Sequence, residues 1–228
     1  MALTKPFPEM AGESVFVTGG TGYIGRPLIG ALLARAHTVH GLARPGSETK
    51  LPSGALPVAG NALDSSTFAA AIPHGATFVH LIGTPHPNPF KAAEFQRVDL
   101  GSIRAATAAA QRAGVRHFVY LSVAHPAPVM RAYIAAREEG ESLVIASGIP
   151  ATILRPWYVL GPGHRWPCLL IPFYAMLGWI PATRDSAQRL GLVTLNAMKA
   201  ALVRAIEAPP ASGVRIVEVP EIRRMQLL

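Results

Sequence analysis

The residues in this chain best suited to chemistry are a glycine cluster and the arginine that follows it. Both lie in "VFVTGGTGYIGRPLIGALLARAHTVHGLARPGS", Val15 to Ser47. Gly19, Gly22 and Gly25 come directly after an apolar run and open an amphipathic one. In that setting the first glycine allows a tight turn, the second lets backbone approach a pyrophosphate, and the third lets a helix pack closely on a sheet. The free backbone N–H groups and dipole of the helix N-terminus favour an anion there. Sites selective for NAD place an Asp or Glu about 20 residues after the glycines, on the ribose hydroxyls. Here that place reads "LARPG", with Arg44 at the strand tip and the next acid at Glu48. A guanidinium fork fits the oxygens of a 2′-phosphate, so the expected ligand is NADP, with NAD as the alternative. Arg26, beside Gly25, is a second candidate cation.

Other reactive types are scattered. His80, His125 and His164 show no HxH or HExxH spacing, so no metal site is expected. His80 reads as a core histidine near the dinucleotide, and His125 as an edge of the substrate pocket. His164, Arg165 and Trp166 form a candidate substrate-loop trio. The single cysteine, Cys168, excludes a disulfide within the chain and stands among apolar residues.

The elements that must position these residues alternate. Strands are expected at Val15–Thr18, Thr38–Ala43, Leu56–Ala59, Ala76–Ile82, His117–Ser122 and Ala151–Arg155. Helices are expected at Tyr23–Arg35, Ser65–Ala71, Lys91–Ala113 and Val129–Ser147. A last helix and strand follow at Leu195–Glu207 and Val214–Val219. Runs such as "TFVHLI" and "HFVYLS" are apolar on both faces, as strands are between two helical layers. The alternation implies an α/β fold, a doubly wound parallel sheet. The chain of 228 residues suits one dinucleotide-binding domain, with residues 157–190, rich in Pro, Gly and aromatics, as a small C-terminal region covering the substrate.

Half the residues are hydrophobic and 15% are charged, which excludes disorder as the dominant state. The net charge of +8 is spread without basic runs, so an anionic cofactor and a solvated surface account for it and no nucleic-acid partner is expected. "CLLIPFYAMLGWI" is too short and too interrupted to span a bilayer. No secretory signal is evident, and a cytoplasmic protein is expected.

The TGxxGxxG spacing after Thr18 resembles the short-chain dehydrogenase/reductase superfamily, in particular its extended and atypical members: epimerase-like, NmrA-like and complex I accessory-subunit-like proteins. "GNALD" (Gly60–Asp64), "FVHLIG" (Phe78–Gly83), "VDLGSIRAATAAAQRAGVRHFVYLS" and "RPWYVLGP" (Arg155–Pro162) extend the resemblance over about residues 14 to 162. It implies cofactor contacts from Thr18, Gly19, Gly22, Tyr23, Ile24, Gly25, Arg26, Arg44, Asn61, Ala62, Leu81, Ile82, Gly83 and Pro156. It further implies a tyrosine that moves a proton, a lysine four residues on, and a serine that fixes the substrate oxygen. Ser122, Tyr133 and Arg137 stand at those places, with arginine instead of lysine. An arginine supplies charge but cannot be neutralised, which alters the proton relay. Asp99 stands where many relatives carry asparagine.

The resemblance implies an NADP-dependent oxidoreductase acting on a small carbonyl or hydroxyl substrate. Its alternatives are a non-catalytic dinucleotide binder and an epimerase- or dehydratase-like enzyme. It also implies a homodimer as an assembly open to the chain.

Overall fold

The computed structural model describes residues 12–127, 129–162 and 190–225. Most of the expected covering region, with His164, Arg165, Trp166 and Cys168, lies outside them.

Apolar residues alternate faces along the first strand, β1 (Ser14–Thr18): Val15 and Val17 enter one core and Phe16 the other. β2 (Thr38–Ala43), β3 (Leu56–Ala59), β4 (Thr77–His80), β5 (His117–Leu121) and β6 (Ala151–Arg155) follow in the chain. With β9 (Val214–Glu218) they form one parallel sheet in the order β3-β2-β1-β4-β5-β6-β9. The order reverses between β1 and β4, and such a switch point leaves a crevice at the strands' carboxyl ends. The doubly wound sheet expected from the alternation is therefore present. A separate pair, β7 (Tyr158–Leu160) with β8 (Leu192–Thr194), was not anticipated.

Two cores flank the sheet. On one face α1 (Gly25–Leu33), α4 (Leu195–Glu207) and α5 (Val219–Arg224) cover Val15, Val17, Val79 and Leu154. The Thr194 hydroxyl caps α4 by accepting from the Ala197 N–H at 3.1 Å. On the other face α2 (residues 92–113) and α3 (Arg131–Ala146) cover a ladder of stacked rings. Phe16 lies 5.3 Å from Phe78, and Phe78 lies 5.0 Å from Phe118. Among the described residues no helix is long and apolar enough to cross a membrane.

Most expected element bounds shift by a residue or two, and four differences matter for the site or its surroundings. The fourth strand stops at His80; Leu81 still donates its N–H to Thr18 O at 3.1 Å before the chain turns into the crevice. The helix expected at Ser65–Ala71 is two 3-10 turns, Ser65–Thr67 and Ala69–Ala71. There Asp64 accepts from the Ser66 N–H, and Thr67 Oγ1 donates to Asp64 O, so side chains take over backbone partners. The α3 helix starts at Arg131, because Met130 has a left-handed φ of 59°. Within α2 a π-helical stretch, Phe95–Leu100, separates the turn Ala92–Glu94 from the α-helix Gly101–Ala113. Such stretches often sit at functional sites, and this one carries Asp99.

Two buried histidines brace the sheet, one of them also reaching α2. His80 meets Thr18 Oγ1 at 2.8 Å and Ser102 Oγ at 3.2 Å, joining β4 to β1 and α2. Burial, aided by the Arg137 charge, pushes its pKa down to about 3. His117 meets Thr152 Oγ1 at 3.0 Å, and burial with the Arg116 charge brings it down to about 4. Both are neutral in the folded protein, whereas the unfolded chain takes up protons below the ordinary value of 6.5. Their stabilisation is full above that pH. It is lost as pH falls toward about 4 for His117 and about 3 for His80. Each group adds about 1.4 kcal/mol per pH unit to the slope. Urea unfolding between pH 6 and 4.5 should therefore show stability declining less steeply in His80→Asn than in wild type, by about that amount. Equal slopes would refute a neutral buried imidazole at His80.

Candidate cofactor and active site

The glycine turn leaves room only where a ligand would lie. Gly19 has φ +78°, and a Cβ there would press on the Leu81 backbone at 3.0 Å. A Cβ on Gly25 would sit 2.2 Å from Gly19 O, so helix and turn can close only on glycine. At Gly22 a Cβ would meet Gly19 O at 3.2 Å and nothing else within 4 Å, leaving that side open. The turn is held by the Gly22 N–H on Gly19 O at 3.0 Å. α1 then begins with no acid in its first turn and no side-chain cap; the Arg26 N–H is taken by Gly22 O at 3.1 Å and residue 27 is proline, so what the helix end offers an anion is mainly its positive dipole.

Gly19 and Gly22 border a cleft of about 690 Å³ at the switch point, within the size range of small-molecule sites. Of the expected contacts, Gly19, Gly22, Arg44, Asn61, Ala62, Leu81, Ile82 and Gly83 line it. Thr18, Tyr23, Ile24, Gly25, Arg26 and Pro156 are not in its lining. Thr18 is buried and spends its hydroxyl on His80, and Arg26 is exposed outside the cleft. The cleft also draws in Ser47, Lys50 and Arg97, which the sequence reading did not single out. Lys50 stands in the short 3-10 turn Glu48–Lys50 after Arg44, and Arg97 on the π-helical stretch. Among the described residues none of Arg44, Lys50 and Arg97 is in an ion pair. The glycine turn, the positive end of α1 and the three cations in the lining, with Glu94 as its one acid, together fit an NAD(P) dinucleotide.

α3 sets Tyr133, Arg137 and Glu141 one turn apart along a single face. The half-buried Tyr133 ring packs 5.1 Å from Phe95, and the Arg137 guanidinium carbon lies 5.3 Å from its centre. Arg137 is 5% exposed. Its Nη2 pairs with Asp99 Oδ1 at 2.7 Å and its Nη1 donates to Leu121 O at 2.9 Å. Asp99 Oδ2 accepts from the Thr84 N–H at 3.1 Å and from the Thr84 hydroxyl at 2.6 Å. Burial alone would lower the Arg137 pKa, but Tyr133, Tyr120 and Asp99 together outweigh it and hold Arg137 above its ordinary value. The arginine and the aspartate, two separate departures in the sequence, are here a single complementary pair. Gly83 belongs to it as well: a Cβ there would fall 2.0 Å from Arg137 Nη2.

Ser122 is 4% exposed at the end of β5 and donates its hydroxyl to Glu141 Oε1 at 2.5 Å. Glu141 is clamped by Arg155, with Nε at 3.0 Å from Oε1 and Nη2 at 2.5 Å from Oε2. Burial lowers the Arg155 pKa, but the bonds and charge of Glu141, with Glu218, raise it overall. His125 places Nε2 3.3 Å from Glu141 Oε1 and Nδ1 3.0 Å from Glu138 Oε1. Sequence reasoning missed Glu141. An acid on the same helix face as Tyr133 and Arg137 was the available signal. Among the described residues no group of His, Cys, Asp and Glu could hold a metal ion.

A protein-family profile described as NAD(P)H-binding matches residues 19–163. A ceramide reductase of Caulobacter vibrioides is 29% identical over 92% of this chain and 65% of its own length. A 3-diazoavenalumate denitrifying reductase of a Streptomyces species is 32% identical over 65% of this chain and 57% of its own. The chain thus spans somewhat under two thirds of the curated relatives it matches. Among solved structures, the Bordetella bronchiseptica enzyme WbmG in complex with NAD superposes with a TM-score of 0.67. It is 20% identical, over 92% of this chain and 74% of that one, a likeness of fold.

Breaking the buried pair from one side should be severe. Removing one partner of such a pair costs about 3–5 kcal/mol. Asp99→Ala should approach that loss in chemical denaturation. Asp99→Asn with Arg137→Lys together should cost less than the sum of the two single changes. Strict additivity would show that the two side chains do not act as a pair.

Proposed function

This chain belongs to the NAD(P)H-binding family, and on that premise we propose that it is an NADP-dependent oxidoreductase of the atypical short-chain dehydrogenase/reductase type. The observation that carries the reading is Tyr133 packed against the buried, permanently charged Arg137. Tyr133 stands at the place of the family's proton-moving tyrosine, and its ring lies against the guanidinium that reaches Leu121 O and Gly83 at the carboxyl ends of β5 and β4, where its hydroxyl would exchange a proton with substrate. Bound in the cleft, the nicotinamide would supply or accept the hydride of a small carbonyl or hydroxyl substrate. The glycine turn with the α1 N-terminus would hold the pyrophosphate. Gly83 and Ile82 would border the nicotinamide half, and Asn61 and Ala62 the adenine. Arg44, Lys50 and Arg97 would surround the 2′-phosphate. The names of the relatives, both reductases, support the class of reaction.

A second reading is a non-catalytic dinucleotide binder. It is favoured by the commitments of Arg137 to Asp99 and of Ser122 to Glu141, which leave fewer free groups for substrate than the family pattern implies.

Calorimetry should show NADPH bound more tightly than NADH, with the preference shrinking in Arg44→Ala, Lys50→Ala and Arg97→Ala. Losing a charge-assisted contact to the phosphate costs about 1.5–3 kcal/mol, on the order of tenfold or more in affinity. Equal affinities in wild type would reject NADP selectivity. Across a panel of aldehydes, ketones and quinones, Tyr133→Phe should lower turnover about 100- to 10,000-fold while NADPH affinity stays near wild type. A wild type that binds NADPH yet turns over no panel member would favour the binder.

A further inference from the structure

The loop after β3 meets the cleft with Asn61 and Ala62. An asparagine reads adenine with both ends of its carboxamide: the oxygen accepts from the 6-amino group and the nitrogen donates to N7. In this chain one end is already spent. Asn61 Oδ1 accepts from the Leu63 N–H at 3.1 Å, closing a turn within the loop itself. That bond fixes which end of the carboxamide is oxygen. The backbone around it is pinned as well. The Asn61 N–H donates to Thr67 Oγ1 at 2.9 Å, and Asn61 O accepts from the Asp64 N–H at 2.9 Å. Two groups remain, Asn61 Nδ2 and the Ala62 N–H, and neither has a hydrogen-bond partner among the described residues. Both are donors.

We propose that the base side of this cleft is a donor surface, which takes a 6-oxopurine such as hypoxanthine as readily as adenine. The inference rests on the dinucleotide reading above and on no catalytic step. A 6-oxopurine carries its carbonyl oxygen beside N7, two acceptors side by side, which suits two donors. Adenine carries a donor and an acceptor there. It satisfies one of the two donors and gains nothing from its amino group.

The rest of the lining does not restore the distinction. Leu42, Leu63 and Val98 are apolar walls. Such walls discriminate weakly between molecules of one shape, whereas hydrogen-bonding groups discriminate strongly. Arg44, Lys50 and Arg97 are donors only. Glu94, the one acid among the lining residues, has Lys91 Nζ 3.6 Å from its carboxylate, so its charge is already balanced. The choice of base therefore falls to position 61, where an oxygen turned back onto its own loop leaves only nitrogen for the ligand.

Calorimetry on the cofactor-free protein tests this with NADPH and its hypoxanthine analogue, which differ only in the base. Wild type should bind the analogue no more than about threefold more weakly than NADPH. Asn61→Asp keeps the turn to Leu63, since a carboxylate accepts that N–H equally, and offers a second oxygen to the amino group. It should prefer NADPH by about tenfold or more. Any general repulsion from the new charge acts on both ligands and leaves their ratio untouched. In isotope-labelled wild type, the Asn61 side-chain amide resonance should shift on adding either dinucleotide. A stronger wild-type preference for NADPH overturns the proposal, and its loss in Glu94→Gln would then make Glu94 the reader of the base. An Asn61 resonance that neither ligand moves, or a wild-type ratio in Asn61→Asp, also overturns it and leaves the dinucleotide reading standing. Binding of neither dinucleotide overturns both.

Discussion

The pair between Asp99 and Arg137 is the contact on which the rest of the site depends. It joins the π-helical stretch of α2 to α3 and braces both against the end of β5 through the Leu121 carbonyl. It presses on Gly83, where the chain leaves β4 for the cleft, and it stands beside Tyr133. Two charges in so dry a place are expensive to bring together and more expensive to separate. Thr84 makes the arrangement tolerable by giving Asp99 a backbone and a hydroxyl donor. The geometry of Tyr133, and of the strand tip that borders the cleft, is therefore set by one electrostatic lock.

The sheet supplies the frame for that lock. Residues of alternate parity on β1, β4 and β5 enter different cores. The phenylalanine ladder fills one side while aliphatic side chains and α4 fill the other. His80 bridges this frame to the site. Its two nitrogens meet Thr18 and Ser102, one as donor and one as acceptor, and burial, aided by the Arg137 charge, keeps it neutral. Structural core and reactive surface thus share a boundary only one side chain thick.

Much of this was legible in the sequence. The two-sided apolar strands gave the parallel sheet, because burial on both faces leaves that signature. The glycine spacing located the cleft, because only glycine permits the contacts found at Gly19 and Gly25. The π-helical stretch was not legible, since its pattern differs from an α-helix by a shift of a single residue. Lys50 and Arg97 were missed because they reach the cleft from different elements, and sequence distance hides such convergence. Arg137 and Asp99 were both noticed, each as a weakening of the family pattern. That they compensate each other could be seen only once α2 and α3 were placed side by side.

Arginine at position 137 has a chemical consequence beyond its charge. A buried lysine readily loses its proton and becomes a nucleophilic amine. Such an amine condenses with aldehydes and ketones, the compounds a site of this kind would handle. The guanidinium here is held in its protonated form by Asp99 and its aromatic neighbours. It offers no lone pair for a Schiff base. A site built around it would meet a reactive carbonyl without forming an imine at its own charged centre.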